Sequence, residues 1–421
     1  MASSGTGRVS ALAMVGLLLG CSAPDSQGDA DGAAGGDGRG GGREEGALDA
    51  GSGGEQRGSD GGRPGPRLWA TAYYAGWKQA ALPPGEIDFT AFSHLIHFAL
   101  VPKPDGGLDD VSNSVTAQNA AAAVKAAHAA GRPILISVGG AGSSAFKSAT
   151  ATASARATFI GNLVALVSAR GYDGVDVDWE PLTASDGPQF VALCQELRVA
   201  LRQKDPKLLL TAAVAGQPAL IAKVASELDQ FNVMTYDLSG TWPGWQVWHN
   251  SPVYSGSCVF ASTGKPVPSA DQVIGEHLKA GIPAAKLGVG IDFYGYVWTG
   301  GAGTSTGGAS QPCQVYSSNP TVDDNVAYDT IMSKHYQAAA YRWDAAAEAA
   351  YLSFDAVGSS SDEFISYDDE TSVAKKASYA RTAGLGGVFV WELGGGHRAS
   401  LPVGQRDPLL QALGKATRGP P

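Results

Sequence analysis

Asp173-Gly174-Val175-Asp176-Val177-Asp178-Trp179-Glu180 decides how the rest of the chain is read. Asp176, Asp178 and Glu180 alternate with Val177 and Trp179, and alternate residues of a β-strand share one face. Three carboxylates therefore point the same way, while the valines and the tryptophan face a packed layer. Burying carboxylates without partners is costly, so folding alone gives no reason for such a row. Crowding and desolvation should raise at least one of their pKa values, as happens at chemical sites. A strand apolar on one face and acidic on the other fits the wall of a barrel whose interior opens at the strand's C-terminal end. An exposed edge strand is the competing reading, and the flanking helical stretches argue against it.

Seven further apolar runs repeat the pattern outward from this segment. With 172–180 as the fourth, they cover 68–75, 94–101, 133–139, 208–214, 231–236, 286–293 and 386–392, mostly β-branched or aromatic and bounded by Gly or polar residues. Stretches with helical spacing lie between them, at 115–130, 152–169, 189–203, 271–280 and 372–383. Eight strands alternating with helices predict an α/β fold, a (β/α)8 TIM barrel, over 67–415. The rival, a doubly wound open sheet, lacks a G-x-G-x-x-G fingerprint in its first unit. The seventh-to-eighth interval is too long for one helix and predicts a small α+β insertion over about 297–370, on the face where barrels bind substrate.

The 421-residue chain is 44% hydrophobic and 17% charged, a globular composition with Gly in excess at 57. Its net charge of −10 disfavours nucleic acid or an anionic membrane surface as a partner and suits a neutral substrate. No apolar run reaches the roughly 18 residues of a membrane span. Arg8 precedes an apolar run at 11–20 that ends in Leu18-Leu19-Gly20-Cys21. This is similar to a bacterial lipoprotein signal, with Cys21 as the acylated residue, the outer membrane as destination and simple secretion as the alternative. Residues 22–66 are rich in Gly, Asp, Ser and Arg with almost no large apolar side chain, which predicts a flexible tether. Residues 416–421 read as a short tail. Four cysteines are too few for a disulfide-dense scaffold. Cys258 and Cys313 follow strands six and seven on one barrel face and are candidates to bridge in an exported protein, whereas Cys194 reads as a buried small hydrophobe.

A pair of acids at a barrel mouth suggests glycoside hydrolysis. Glu180, nearest the mouth, is the natural proton donor, with Asp178 one pleat deeper. A Mg²⁺ site is the competing reading, and no phosphate-handling loop accompanies it. No zinc-type His/Cys spacing occurs, so neither metal nor cofactor is expected.

The segment resembles the active-site signature of glycoside hydrolase family 18, the chitinases. Ser137-Val138-Gly139-Gly140 is similar to that family's third-strand motif, Met234-Thr235-Tyr236-Asp237 to its sixth, and Ser366-Tyr367-Asp368-Asp369 with Trp391 to its final segment. The insertion resembles that of subfamily A. The resemblance implies a retaining, substrate-assisted hydrolysis of β-1,4-linked N-acetylglucosamine in chitin or chito-oligosaccharides; a monomer is expected. Glu180 would be the acid and base, Asp178 would orient the acetamide, Asp176 would share a proton with Asp178, and Tyr236 would bind the acetamido oxygen. Tyr73 and Ser137 would partner Asp176. Asp237 and Tyr294 would contact sugar, Met234 would pack beneath the acetamide, and Trp391 would floor the cleavage site. Trp77 and Trp242 match sugar-stacking positions, while Trp245, Trp248 and Trp298 remain open between platform and loop anchor. Two positions depart from the pattern. Ala141-Gly142 stands where a Trp is common, and Tyr296 where an Arg is common. The alternatives are an endo-β-N-acetylglucosaminidase acting on glycoprotein or peptidoglycan glycans, and a chitin-binding lectin, whose class typically lacks the acid.

Overall fold

In the computed structural model, residues 67–418 are described; the leader, Cys21, the tether and the last three residues lie outside them. Eight parallel strands close a barrel: β1 (Trp69–Ala75), β2 (His94–Pro102), β4 (Ile134–Gly140), β5 (Gly174–Trp179), β6 (Leu209–Val214), β7 (Gln230–Val233), β8 (Leu287–Asp292) and β14 (Gly387–Trp391). β14 pairs with β1 and β1 with β2, which closes the ring. A two-residue strand, β3 (Leu108–Asp109), folds back antiparallel on the end of β2. This is the (β/α)8 barrel that the alternation predicts.

Local chemistry accounts for the helices that clad it. Thr116 caps the helix Ala117–Ala129 by accepting from the Asn119 N–H, and Thr152 caps Ala153–Arg170 by accepting from the Ala155 N–H. Gly171, at φ +76°, ends the second helix in the left-handed conformation that glycine adopts without strain. The main core lies between strands and helices. In β5 it takes Val175, Val177 and Trp179, with the Trp179 ring stacked on Phe146 at 4.7 Å. A second, smaller core fills the barrel and includes Tyr73, Phe98, Tyr236, Tyr294 and Phe389. Among the described residues, no helix is long and apolar enough to cross a membrane.

Between β8 and β14 lies a five-stranded antiparallel sheet of β9 (Tyr294–Thr299), β10 (Thr321–Ala327), β11 (Tyr341–Asp344), β12 (Ala349–Phe354) and β13 (Glu363–Tyr367), in the order β10-β9-β13-β12-β11. It starts earlier than the expected 297. Only Phe293 separates β8 from β9, so the barrel strand runs almost directly into the insertion. The end of the chain also differs from expectation. Residues 416–418 continue the amphipathic helix Pro408–Arg418, which buries Leu409, Leu410, Leu413 and Thr417, and a tail can begin only beyond 418.

Candidate active site

β5 delivers the three carboxylates to the interior. In register, Asp176 lies beside Ser137 and Asp178 beside Gly139 of β4. That second pairing explains the double glycine of the third-strand motif. A Cβ on Gly139 would sit 1.9 Å from the Asp178 carbonyl oxygen, and one on Gly140 would sit 2.6 Å from the Phe98 ring. Both glycines have strongly positive φ, so no larger residue serves.

Asp176 is the deepest acid and is fully buried. Its carboxylate accepts from the Tyr73 hydroxyl at 3.0 Å and the Thr211 hydroxyl at 2.5 Å. The Tyr73 oxygen in turn accepts from Asn232 Nδ2 at 3.0 Å. Burial raises Asp176 to about 6, against the lowering effect of its hydroxyl neighbours, Ser137 among them. The Ser137 hydroxyl faces the acid without completing a hydrogen bond of normal geometry.

Asp178 and Glu180 hydrogen-bond each other and hold protons as a pair. Burial raises Asp178 well above the carboxylate range, and the charges of Glu180 and Asp176 push it further. Glu180 is raised to about 7, first by burial and then by the charges of Asp237 and Asp176, despite its bond with Asp178. Asp178 Oδ1 is buried with no hydrogen-bond partner, leaving an acceptor site for a donor entering the barrel.

The exit of β7 builds the opposite wall. Met234 and Tyr236 line the cleft, and the Tyr236 ring packs edge-on against Tyr294 at 6.0 Å and Phe389 at 5.9 Å. Asp237 takes φ +58°, unusual for a residue with a side chain. Its N–H donates to Asn250 Oδ1 at 2.9 Å, and its carboxylate accepts from the Tyr294 and Tyr296 hydroxyls at 2.5 and 2.8 Å. Burial raises this acid to about 6. Tyr296, standing where an Arg is common, thus supplies a neutral donor to Asp237.

Asn250 is itself held from below. Its Nδ2 donates to Asp292 Oδ2 at 2.6 Å and its N–H to the Ser366 hydroxyl at 2.8 Å. Lys376, fully buried, bonds Asp292 at 3.2 Å, the Ser251 hydroxyl at 2.5 Å, and Asp368. Ser366-Tyr367-Asp368-Asp369 therefore reads residue by residue. Ser366 holds Asn250, Asp368 pairs with Lys376, and Asp369 caps the helix Glu370–Thr382 by accepting from the Ser372 N–H at 2.8 Å. Sequence reading missed Asn250, Asp292 and Lys376 as site supports. It also missed Thr211, the single polar residue of β6, and Asn232, which shares the inward face of β7 with Gln230.

Asp178 and Glu180 open into a cleft whose lining includes Tyr73, Trp77, Gly139, Gly140, Met234, Tyr236, Asp237 and Trp391. Phe98 and Asn113 line it as well and carried no sequence signal. Trp391 packs edge-on against Phe98 at 4.6 Å and lines the cleft, while Trp77 stands at the rim, 44% exposed. Trp242 lies outside this cleft, in an adjoining recess shared with Asp237 and Tyr296. Trp248 and Trp298 are core residues. Both are buried, and the Trp248 indole N–H donates to the Pro268 carbonyl at 2.8 Å, so neither offers a ring face to a sugar. Cys258 and Cys313 are joined by a disulfide, and Cys194 is buried and free. No cluster suited to a metal ion occurs among the described residues.

Paired, proton-retaining acids at the mouth of a barrel, beside an aromatic floor, suit protonation of a glycosidic oxygen. The comparisons point to the same chemistry. Chitinase A1 of Niallia circulans is 31% identical over 318 residues, 68% of this chain and 45% of that relative. A probable endochitinase of Caenorhabditis elegans is 31% identical over 307 residues, 68% of this chain and 48% of that one. The chain thus spans about half the length of these relatives. The structure of Ostrinia furnacalis Group IV chitinase matches with a TM-score of 0.70 at 22% identity, covering 84% of this chain and all of the other, and shows the shared fold. Residues 70–396 match the family described as Glycosyl hydrolases family 18. The chain is a member of family 18 of the glycosyl hydrolases, and its barrel is that of a glycoside hydrolase.

Proposed function

We propose that this enzyme cleaves β-1,4 linkages between N-acetylglucosamine units of chitin or chito-oligosaccharides, with retention and with the substrate's own acetamide as nucleophile. The observation that carries the reading is the Asp178–Glu180 pair. It combines an acid raised to about 7 with a buried neighbour whose Oδ1 has no partner. In the proposed step, Glu180 protonates the leaving oxygen as the acetamide oxygen attacks the anomeric carbon. Asp178 swings from Glu180 to accept the acetamide N–H and offsets the charge of the oxazolinium ion. Tyr236 donates to the acetamide oxygen, and Trp391 supports the apolar face of the sugar. Water deprotonated by Glu180 then opens the ring, which restores the acid. The proton that Asp178 gives up passes to Asp176 below, which burial raises to about 6 and which Tyr73 and Thr211 hold in place. The antiparallel sheet between β8 and β14 supports a subfamily A-like assignment and a cleft suited to a polymer.

The test is the substrate. A chito-oligosaccharide with a free amine at the cleavage-site sugar should bind without reacting, and a thiazoline analogue of the oxazolinium should inhibit. NMR of fresh product should show the β-anomer first. Initial α-anomer, or efficient cleavage beside a deacetylated sugar, would overturn the mechanism. Faster turnover of high-mannose glycan than of chitin oligomers would move the substrate to glycoproteins.

The run before Cys21 supports a second proposal, that the enzyme is exported and held by an acyl chain on Cys21, at the outer membrane, with 22–66 as tether. Labelled palmitate should enter the wild type and not Cys21→Ala; an unlabelled, soluble wild type would leave simple secretion.

A further inference from the structure

A second cavity opens beside the loop that follows β7. It lies between residues 243–245, 254–256, 260–266 and 269–272, and none of the carboxylates described above lines it. Aromatic contacts join it to the recess beside the catalytic cleft. Trp242, which shares a recess with Asp237, meets Trp245 at 4.4 Å between ring centroids, and Trp245 meets Phe260 at 5.0 Å. Trp245 and Phe260 both line the second cavity, together with Tyr254. Tyr254 is 38% exposed, among the few large aromatics in the described residues that stand in solvent. Burial of an aromatic ring is favourable, so a tyrosine left open at a cavity wall marks a surface for a flat, partly apolar partner.

The loop is braced. The Cys258–Cys313 disulfide ties it to the insertion, and two backbone hydrogen bonds cross the same junction, from the Val247 N–H to the Gln314 carbonyl and from the Cys313 N–H to the Val247 carbonyl. Phe260 sits in a tight turn, donating to the Lys265 carbonyl and accepting from the Gly264 N–H. Trp242 is fixed from its other side, its ring lying across Gly240, where any Cβ would come within 2.5 Å of it. A preformed aromatic surface loses little entropy on binding. The remaining lining is mixed, with the hydroxyls of Ser262 and Thr263, the Gln272 amide and the opposite charges of Lys265 and Asp271. That mixture suits a neutral, hydroxyl-rich ligand and disfavours a polyanion.

We infer that this cavity is a distal saccharide subsite, which takes the part of the substrate chain that runs past Trp242 out of the cleft and so sets a preference for long substrates. The inference rests on the proposed function, since it assumes an N-acetylglucosamine polymer in the cleft. Trp245 and Tyr254 would stack on successive parts of that chain, and the disulfide would hold their spacing.

The full chain carrying Glu180→Gln, which binds without turning over, is titrated calorimetrically with chito-oligosaccharides of increasing length. Trp245→Ala and, separately, Tyr254→Ala are then added. Each should weaken binding of the longest oligomers by about two- to tenfold, the scale of one aromatic contact, and leave the shortest bound as before. In the active enzyme, KM for long substrates should rise while kcat on a short chromogenic substrate stays unchanged. Tyr254 is solvent-exposed, so its replacement keeps the fold even where loss of Trp245 perturbs the loop. Equal weakening for short and long oligomers, or no weakening at any length, would overturn the subsite. Failure of the Glu180→Gln parent to bind any N-acetylglucosamine oligomer would overturn the proposed function along with it.

Discussion

The two walls of the cleft are built in opposite ways. β5 carries its chemistry in consecutive residues, since one strand's alternation puts Asp176 and Asp178 inside, Glu180 just past its end, and Val175 and Val177 in the outer core. The wall after β7 carries Met234, Tyr236 and Asp237 in four residues but cannot hold them by itself. Asp237 sits at positive φ because Asn250 accepts its N–H, and Asn250 is held by Asp292 and Ser366, 42 and 116 residues away. Lys376, 125 residues beyond Ser251, closes the support. A strand's geometry positions side chains through its own backbone, whereas a strained loop needs contacts from elsewhere in the fold.

The largest effect should come from the self-sufficient wall. Glu180→Gln keeps the shape of the side chain and removes the proton. Turnover should fall by at least the ~10²–10⁴-fold of general acid–base catalysis, with melting temperature kept or raised. Hydrolysis near the wild-type rate would remove Glu180 from the mechanism.

The supported wall should fail differently. Lys376→Met leaves Asp292 and Asp368 buried without their cation and should destabilise the fold by about 3–5 kcal/mol, read from denaturant unfolding. Asn250→Ala frees the Asp237 backbone, and activity should drop by up to ~10²-fold through misplacement of the wall, while Glu180 keeps its own titration. A fully active Asn250→Ala enzyme would show that Asp237 holds its conformation unaided, and the contrast between the walls would dissolve.

The smallest effect concerns pH. Folding raises Asp176 and Asp237 to about 6 and Glu180 to about 7, so the folded chain keeps protons that the unfolded chain releases in the ordinary carboxylate range. The stability these groups contribute is complete below that range and is lost as pH rises through about 6 to 7. Melting temperature should therefore decline between about pH 5 and about pH 8, and less steeply in Glu180→Gln. The rate should fall on the alkaline side as Glu180 loses its proton near 7. A melting temperature that rises over this interval would contradict the burial of these acids as charged-form penalties.

Sequence alone determined the barrel and its acid ladder, because both depend on short periods. The alternation of two along a strand and the recurrence of strand and helix are imposed by backbone geometry and need no distant partner. It also brought Met234, Tyr236 and Trp391 to one cleft, and Ser137 beside Asp176, through their motifs. Only the tertiary structure decided which tryptophans meet solvent, since Trp77 and Trp298 both follow strand-like segments yet one stands at the rim and the other is fully buried. Only it showed that Tyr296 serves Asp237 and that Lys376 lies in a helix yet anchors the wall after β7. A lysine in a helix reads as solvent-facing, because its charge is costly to bury. What reverses that reading is the pair of aspartates, Asp292 and Asp368, which only the folded chain brings to it.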